Sequence, residues 1–153
     1  MRAVPFDGLS LSLAGAVILL DGATKVVSRA LLPTDGFRVL PGLILRATEN
    51  TRGPFGLGPL WFAVLASLCV LGFVLWWIGR PGAPDGSRSR LGLGLFLGGG
   101  LANLGERILL GHTTDVLVLG RTTAVNLADG AILCGLALLL LSSRPFEKKH
   151  EGN

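Results

Sequence analysis

Asp115 and Asp129 stand on either side of the turn that joins the last two apolar segments of this chain. An ionisable group in or at the edge of hydrocarbon is costly, and by default it marks a functional site. Like charges held a few ångströms apart resist joint ionisation, so such a pair tends to hold a single proton. The ionised member can then take a proton from water as it attacks a carbonyl. The protonated member polarises that carbonyl or protonates the leaving amine. This is aspartyl acid/base hydrolysis, and it requires no metal and no cofactor; none is expected. His112 and His150 are the only histidines, and a His112–Asp115 metal pair lacks a third convincing ligand. The absence of a G-x-S-x-G element argues against a serine hydrolase.

The segments that must position this pair are overwhelmingly apolar. Of 153 residues, 50% are hydrophobic and 16% charged, and the mean hydropathy is +0.60. Soluble domains carry about 25% charged residues, so the balance is that of an integral membrane protein. The length fits one domain, residues 1–153. A net charge of +4 could suggest nucleic acid, but the basic residues are scattered between apolar blocks with no basic stripe and no interleaved aromatics. No nucleic-acid partner is expected. Cys69 and Cys134 lie within apolar stretches and read as small buried hydrophobes rather than as a disulfide or metal site.

A membrane span needs about 20 mainly apolar residues. Four stretches qualify: 9–32, 59–78, 91–110 and 123–142. The second carries no charge, and Trp76 and Trp77 are placed as an interfacial belt. The first leads into Asp21 and Lys25 rather than a cleavage site, so it reads as a retained span, not a signal peptide. The expected fold is therefore an all-α membrane protein, a four-transmembrane-helix bundle. Its loop 33–58 has strand-like runs and is expected to form a small extracytoplasmic sheet on the membrane surface. The glycines of "GLGLFLGGG" in the third span lack the strand–turn–helix context of a dinucleotide site. They fit close helix approach within a bundle instead.

Orientation follows from the basic residues. Arg2, Arg80, Arg88, Arg90, Arg144, Lys148 and Lys149 lie on the N-terminal, 79–90 and C-terminal side, against Arg38, Arg46, Arg52 and Arg121 on the other. That bias places both termini in the cytoplasm. With this topology the polar residues gather at the outer face. Asp21 and Lys25 share a helical face, as do Asn103 and Arg107, with Glu106 close by. Asn126 and Asp129 belong to the fourth span, with Asp129 about six residues and roughly 9 Å into it. Asp115 sits in the short outer loop at similar depth, and Asn50 arrives from the 33–58 loop. Two readings stay open for part of this set. Asp21–Lys25 and Glu106–Arg107 are either site components or charge-compensating pairs near helix ends. Thr24 and Asn103 are either site components or interhelical hydrogen-bond glue. Arg107 and Arg121 are the nearest cations in sequence to the two aspartates.

The order of these elements resembles the lipoprotein signal peptidase (signal peptidase II) family. "DGATK" at 21–25 resembles D-x-x-[ST]-K, and "NTRGPFG" at 50–56 is similar to N-x-G-A-A-F-G. "GGGLANLGERILLGHTTD" at 98–115 resembles G-G-x-x-G-N-x-x-D-R…G…D, and "VNLADGAI" at 125–132 resembles F-N-x-A-D-x-x-I. Each motif alone is weak; together and in order they are specific. The resemblance implies an aspartic endopeptidase of the bacterial cytoplasmic (inner) membrane with Asp115 and Asp129 as catalytic dyad. Asn103, Arg107 and Asn126 would position the dyad or the substrate backbone, and Asp21, Lys25 and Asn50 would support the site. The implied partners are membrane lipids and a prolipoprotein whose cysteine already carries diacylglycerol, cleaved on the amino side of that cysteine by a monomeric enzyme.

Several positions depart from the pattern. Glu106 replaces Asp, Ala102 replaces Gly, Arg52-Gly53-Pro54 replaces Gly-Ala-Ala, Val116 replaces an aromatic and Val125 replaces Phe. Pro54 fixes its φ near the site. The alternative is a divergent or non-catalytic paralogue that binds lipoproteins or another membrane enzyme. A proton-coupled carrier fits less well, because the polar groups cluster at one face and no inverted repeat is visible. The G-x-G-D element of presenilin-type proteases is missing.

Overall fold

Asp7 begins the first helix. Its Oδ1 accepts the Ser10 N–H at 2.9 Å and the Ser10 hydroxyl at 2.8 Å, which satisfies donors that a helix start leaves without intrahelical partners. Helix α1 (Gly8–Leu31) then runs 24 residues and closes with the Leu32 N–H on Ser28 O, just before Pro33. This computed structural model describes residues 7–52, 58–83, 86–120 and 123–143. Arg2, the 53–56 part of the "NTRGPFG" block with Gly53 and Pro54, Arg121, Arg144, Lys148, Lys149 and His150 lie outside the described residues.

The loop after α1 forms the expected strands, β1 (Phe37–Leu40) and β2 (Leu43–Asn50), paired antiparallel. Helix α2 (Leu60–Gly79) follows, then α3 (Ser87–Leu110). Helix α3 starts four residues earlier than the apolar run, so Arg88 and Arg90 belong to its first turn rather than to a loop. Gly111 ends it at φ 80°, a left-handed conformation that glycine adopts without strain, with its N–H on Arg107 O.

The stretch after α3 differs most from expectation. Thr113–Leu119 is strand β3, and Thr123–Val125, assigned by hydropathy to the fourth span, is strand β4. Together with the first hairpin they make one antiparallel sheet in the order β1-β2-β3-β4. Helix α4 (Leu127–Ser142) is therefore only 16 residues long, about 24 Å at 1.5 Å per residue. Helices α1, α2 and α3 are long and apolar enough to cross a membrane, while α4 is shorter than a standard span.

Packing converges on α3, which touches all three other helices. Its glycines make this possible, as the run in the sequence suggested. A Cβ on Gly98 would lie 2.8 Å from Ala14 O, and one on Gly99 would lie 2.4 Å from Ala128 O. From the α4 side, a Cβ on Gly135 would meet Phe96 N at 2.5 Å. The core joins Leu71, Val74 and Ile78 of α2 to Leu93, Phe96, Leu97 and Leu104 of α3, with Ala14 and Leu139. The outer faces are apolar: Leu19, Leu31, Trp61, Leu133 and Leu141 are widely exposed, while Asp21, Lys25, Asn103 and Arg107 are buried. Polar inside and apolar outside is the arrangement that suits hydrocarbon as the surrounding solvent. It also explains why Cys69 and Cys134, expected to be buried, are free and exposed on the helix exteriors. At the end away from the sheet, Arg90 pairs with Asp7 at 3.2 Å, and the Arg80 guanidinium lies over the Trp76 ring at 4.3 Å.

Gly135→Ala is expected to destabilise the bundle by about 1–3 kcal/mol, because the added methyl meets backbone that cannot rotate away. Gly130→Ala, facing open space, serves as the control and should lose nothing. Thermal unfolding of the two variants in detergent checks this, and equal midpoints would show that α3 and α4 have room between them.

Candidate active site

Asn126 and Asp129 form a capping box at the start of α4. The Asn126 side chain accepts the Asp129 N–H at 2.9 Å, and Asp129 Oδ2 accepts the Asn126 N–H at 3.1 Å. Asp129 is thus the third residue of its helix, in the first turn rather than six residues deep. A carboxylate there also faces the positive end of the helix dipole. Asp115 comes from β3 and is 2% exposed. Its Oδ1 accepts Asn126 Nδ2 at 2.8 Å and its Oδ2 accepts Asn50 Nδ2 at 3.2 Å. Asn50 can reach because β2 pairs Thr48 with Asp115 and Asn50 with Thr113, making it the diagonal neighbour on the same sheet face. One asparagine, Asn126, therefore holds both aspartates. Both line the same cavity.

Lys25 anchors the assembly from behind. Its ammonium, 3% exposed, contacts Asp21 Oδ2 at 2.7 Å, Glu106 Oε2 at 2.8 Å and Asn103 Oδ1 at 3.0 Å. Each partner passes the contact on. Asp21 Oδ1 accepts the Ala128 N–H at 2.9 Å, one residue before Asp129. Asn103 Nδ2 donates to Asp129 Oδ1 at 2.8 Å. Glu106 accepts the Thr114 N–H at 3.0 Å, one residue before Asp115. Asp21–Lys25 is therefore a pair, but one that reaches the aspartates through the backbone. The short contacts of Glu106 are with Lys25, Thr114 and Arg29. Asn103 does bridge helices α1 and α4. Thr24 does not, since its hydroxyl donates to Asp21 O within α1 at 2.8 Å.

Arg107 lies buried beside the cavity, its Nη1 donating to Ser67 Oγ of α2 at 3.3 Å. Ser67 gives its own proton to Ala63 O at 2.8 Å, so its lone pairs face the guanidinium. Among the described residues, the buried Arg107 Nε has no hydrogen-bond partner. His112 stands with Nε2 4.0 Å from Glu49 Oε1. The cavity measures about 800 Å³. Asn50, Asn103, Arg107, Asp115 and Asp129 form its polar end, and Val70, Leu71, Phe96, Ile132 and Leu133 its apolar wall.

All eight residues singled out from the sequence (Asp21, Lys25, Asn50, Asn103, Arg107, Asp115, Asn126 and Asp129) fall in this one network or line its cavity. Arg29, Ser67 and Thr114 were missed. Arg29 sits one helical turn beyond Lys25, so the i,i+4 row that joined Asp21 to Lys25 could have been extended to it. Nothing in the sequence marks Ser67 or Thr114.

Asp115 lies outside the helices, and its surroundings alter its acidity. Burial pushes its carboxyl up from 3.8 to about 6, and the charge of Asp129 adds to the rise. The hydrogen bonds from Asn50 and Asn126 oppose it.

The fold is shared with two solved bacterial membrane enzymes, both determined by the in meso method. One has a TM-score of 0.76 at 23% identity, covering 97% of this chain and 96% of the other. The second has a TM-score of 0.74 at 22% identity, covering 90% and 93%. The sequence narrows the class. The family described as Signal peptidase (SPase) II matches residues 13–144, and the chain belongs to that family. A lipoprotein signal peptidase of Syntrophomonas wolfei is 34% identical over 143 residues, spanning 90% of this chain and 93% of that protein. One from Mycobacterium leprae is 32% identical over 146 residues, spanning 88% and 71%.

Two expectations follow from the geometry. Lys25→Met leaves Asp21 buried without its cation and Glu106 with Arg29 alone, and should cost about 3–5 kcal/mol of stability, read as a lower unfolding midpoint in detergent. An unchanged midpoint would mean that the carboxylates find other compensation. The second concerns pH. The folded chain keeps the Asp115 proton to higher pH than the unfolded chain, so between 3.8 and about 6 folding takes up a proton. Stability from this group is complete below 3.8 and is withdrawn as pH rises through about 6. Asp115→Asn should flatten the fall of the unfolding midpoint across that window, and an identical slope in both proteins would contradict the assignment.

Proposed function

We propose that this chain is an intramembrane aspartic endopeptidase that removes signal peptides from diacylglyceryl-modified prolipoproteins, cutting on the amino side of the lipidated cysteine. The observation that carries the reading is the joint hold of Asn126 on Asp115 and Asp129 at the polar end of a largely apolar cavity. The ionised aspartate takes a proton from the attacking water, and the protonated one polarises the scissile carbonyl and later protonates the leaving amine. Asn103 and Asn126 orient the pair. Arg107, whose side chain lines the cavity, binds a carbonyl of the substrate. Val70, Leu71, Phe96, Ile132 and Leu133 offer apolar surface to the signal helix and acyl chains, so that only the scissile bond meets polar groups. No cofactor takes part.

The same reading has all four helices crossing the bacterial inner membrane, α4 with help from the extended residues before it. Both termini are cytoplasmic, and the site lies near the outer face. Support comes from Arg80, Arg88 and Arg90 at the end of the bundle away from the sheet, in keeping with the positive-inside bias. The chain works as one domain and as a monomer.

The test is a gel-shift assay with purified protein in detergent and a diacylglyceryl-modified prolipoprotein. Wild type should release the signal peptide, while Asp115→Asn and Asp129→Asn should each lose at least about a thousandfold in turnover and still insert and fold. Retained cleavage in either variant would remove the dyad mechanism. Failure of correctly folded wild type to cleave would point instead to a binding paralogue.

A further inference from the structure

Strand β3 alternates its side chains across the sheet, so Thr114 faces away from the side on which Asp115 meets Asn126. There it is fully buried, and it is gripped at two atoms. Glu106 Oε2 accepts the Thr114 N–H at 3.0 Å, and Glu106 Oε1 accepts the Thr114 hydroxyl at 2.7 Å. Because that hydroxyl proton goes to Glu106, the oxygen lone pairs are left for Arg29, whose Nη1 donates to Thr114 Oγ1 at 2.9 Å. The same guanidinium stands 3.4 Å from Glu106 Oε1. Arg29 belongs to α1 and Glu106 to α3, so the three side chains join β3 to two helices.

The strand needs such a hold at this point. The β2–β3 register shifts between Leu45 and Thr48, opposite Val116, and a bulge disrupts the ladder locally. Asp115 is the residue next to that irregularity. The ladder resumes there, with Asp115 opposite Thr48, and contacts outside the ladder reinforce it, of which Thr114 carries three: the two to Glu106 and the Arg29 bond. The Thr114 carbonyl adds a weaker one from Asn126 Nδ2 at 3.4 Å.

We propose that Arg29, Glu106 and Thr114 form a clamp that fixes β3 against α1 and α3 and thereby sets the approach of the Asp115 carboxylate to Asp129. They are positioning residues for the hydrolysis, acting through Asp115, and the role rests on the dyad reading above. It also gives a use to the glutamate found where the family pattern has aspartate. The longer side chain reaches both the N–H and the hydroxyl of Thr114 while Oε2 stays on Lys25.

The experiment compares Thr114→Val, Thr114→Ser, Arg29→Met and the Thr114→Val/Arg29→Met double variant in detergent, with Asp115→Asn alongside. Steady-state kinetics on a diacylglyceryl-modified prolipoprotein and the pH profile are read together with the unfolding midpoint. Thr114→Val should lower kcat about tenfold with KM unchanged within about twofold, since a misplacement of about 1 Å can cost far more than that. Its pH profile should shift, because the separation of the aspartates sets their shared proton. Thr114→Ser keeps the hydroxyl and should restore kcat to within about twofold of wild type. Arg29→Met, at a position 37% exposed, should lower kcat less, and the double variant should resemble Thr114→Val alone. Wild-type kcat and pH profile in Thr114→Val would overturn the clamp, as would equal losses in Thr114→Val and Thr114→Ser. If Thr114→Val does not fold, wild-type kcat in Arg29→Met overturns it. Asp115→Asn separates the two readings: turnover retained there sinks the dyad, whereas an inactive Asp115→Asn with an indifferent Thr114→Val sinks only the clamp.

Discussion

A single buried ammonium organises this protein. Lys25 is almost completely withdrawn from solvent, and a charge so placed must be compensated by partners at short range. Its three acceptors, Asp21, Glu106 and Asn103, come from α1 and α3, and each holds a further group. Asp21 takes the Ala128 N–H at the head of α4, Glu106 takes Thr114 of β3, and Asn103 takes Asp129. One desolvation requirement therefore fixes three junctions at once. Two of them fall on the residue directly before an aspartate of the pair, and the third on an aspartate itself. An ion cluster of this kind adds little net stability compared with apolar packing, but removing one member leaves the others exposed to the full desolvation penalty. The arrangement is thus sensitive to error where error would move the carboxylates.

The capping box applies a second constraint. Helix starts commonly use an asparagine to accept the N–H of the third helical residue. Here that residue is Asp129, and the spare Nδ2 of the same asparagine reaches Asp115. The local rule that begins α4 is in this way also the link between two distant acids. Burial and the charge of Asp129 raise the Asp115 carboxyl, while the hydrogen bonds from Asn50 and Asn126 oppose the rise.

Much of this was legible in the sequence because the relevant contacts are periodic. The four-residue spacing of Asp21 and Lys25 gave their common face, and the glycine run of α3 announced close packing. The order of the motifs singled out residues that the fold gathers into one network. Other features were hidden for physical reasons. Apolarity alone does not distinguish a strand from a helix over a few residues, so Thr123–Val125 was merged with the span that follows, and Asp129 was placed too deep. Ser67 and Thr114 are ordinary residues whose contacts with Arg107 and Arg29 span 40 and 85 positions of the chain. Cys69 and Cys134 went wrong because the surroundings of an apolar residue do not reveal which side of a helix faces lipid.

The cavity itself follows from unequal packing around α3. Its glycines admit α1 and α4 to near backbone contact, at Gly94 and Gly98 on one side and at Gly92 and Gly99 on the other. Helix α2 packs extensively against α3 alone among the helices. It approaches through larger side chains, with Leu71 set over Gly100. The result is a gap between α2 and α4 that no helix fills. Its walls are Val70 and Leu71 on one side and Ile132 and Leu133 on the other, with Phe96 behind. At the sheet end this gap meets Arg107, Asn103 and the two aspartates. Glycine placement along one helix thus decides both where an apolar segment can lie and how far from it the polar groups stand.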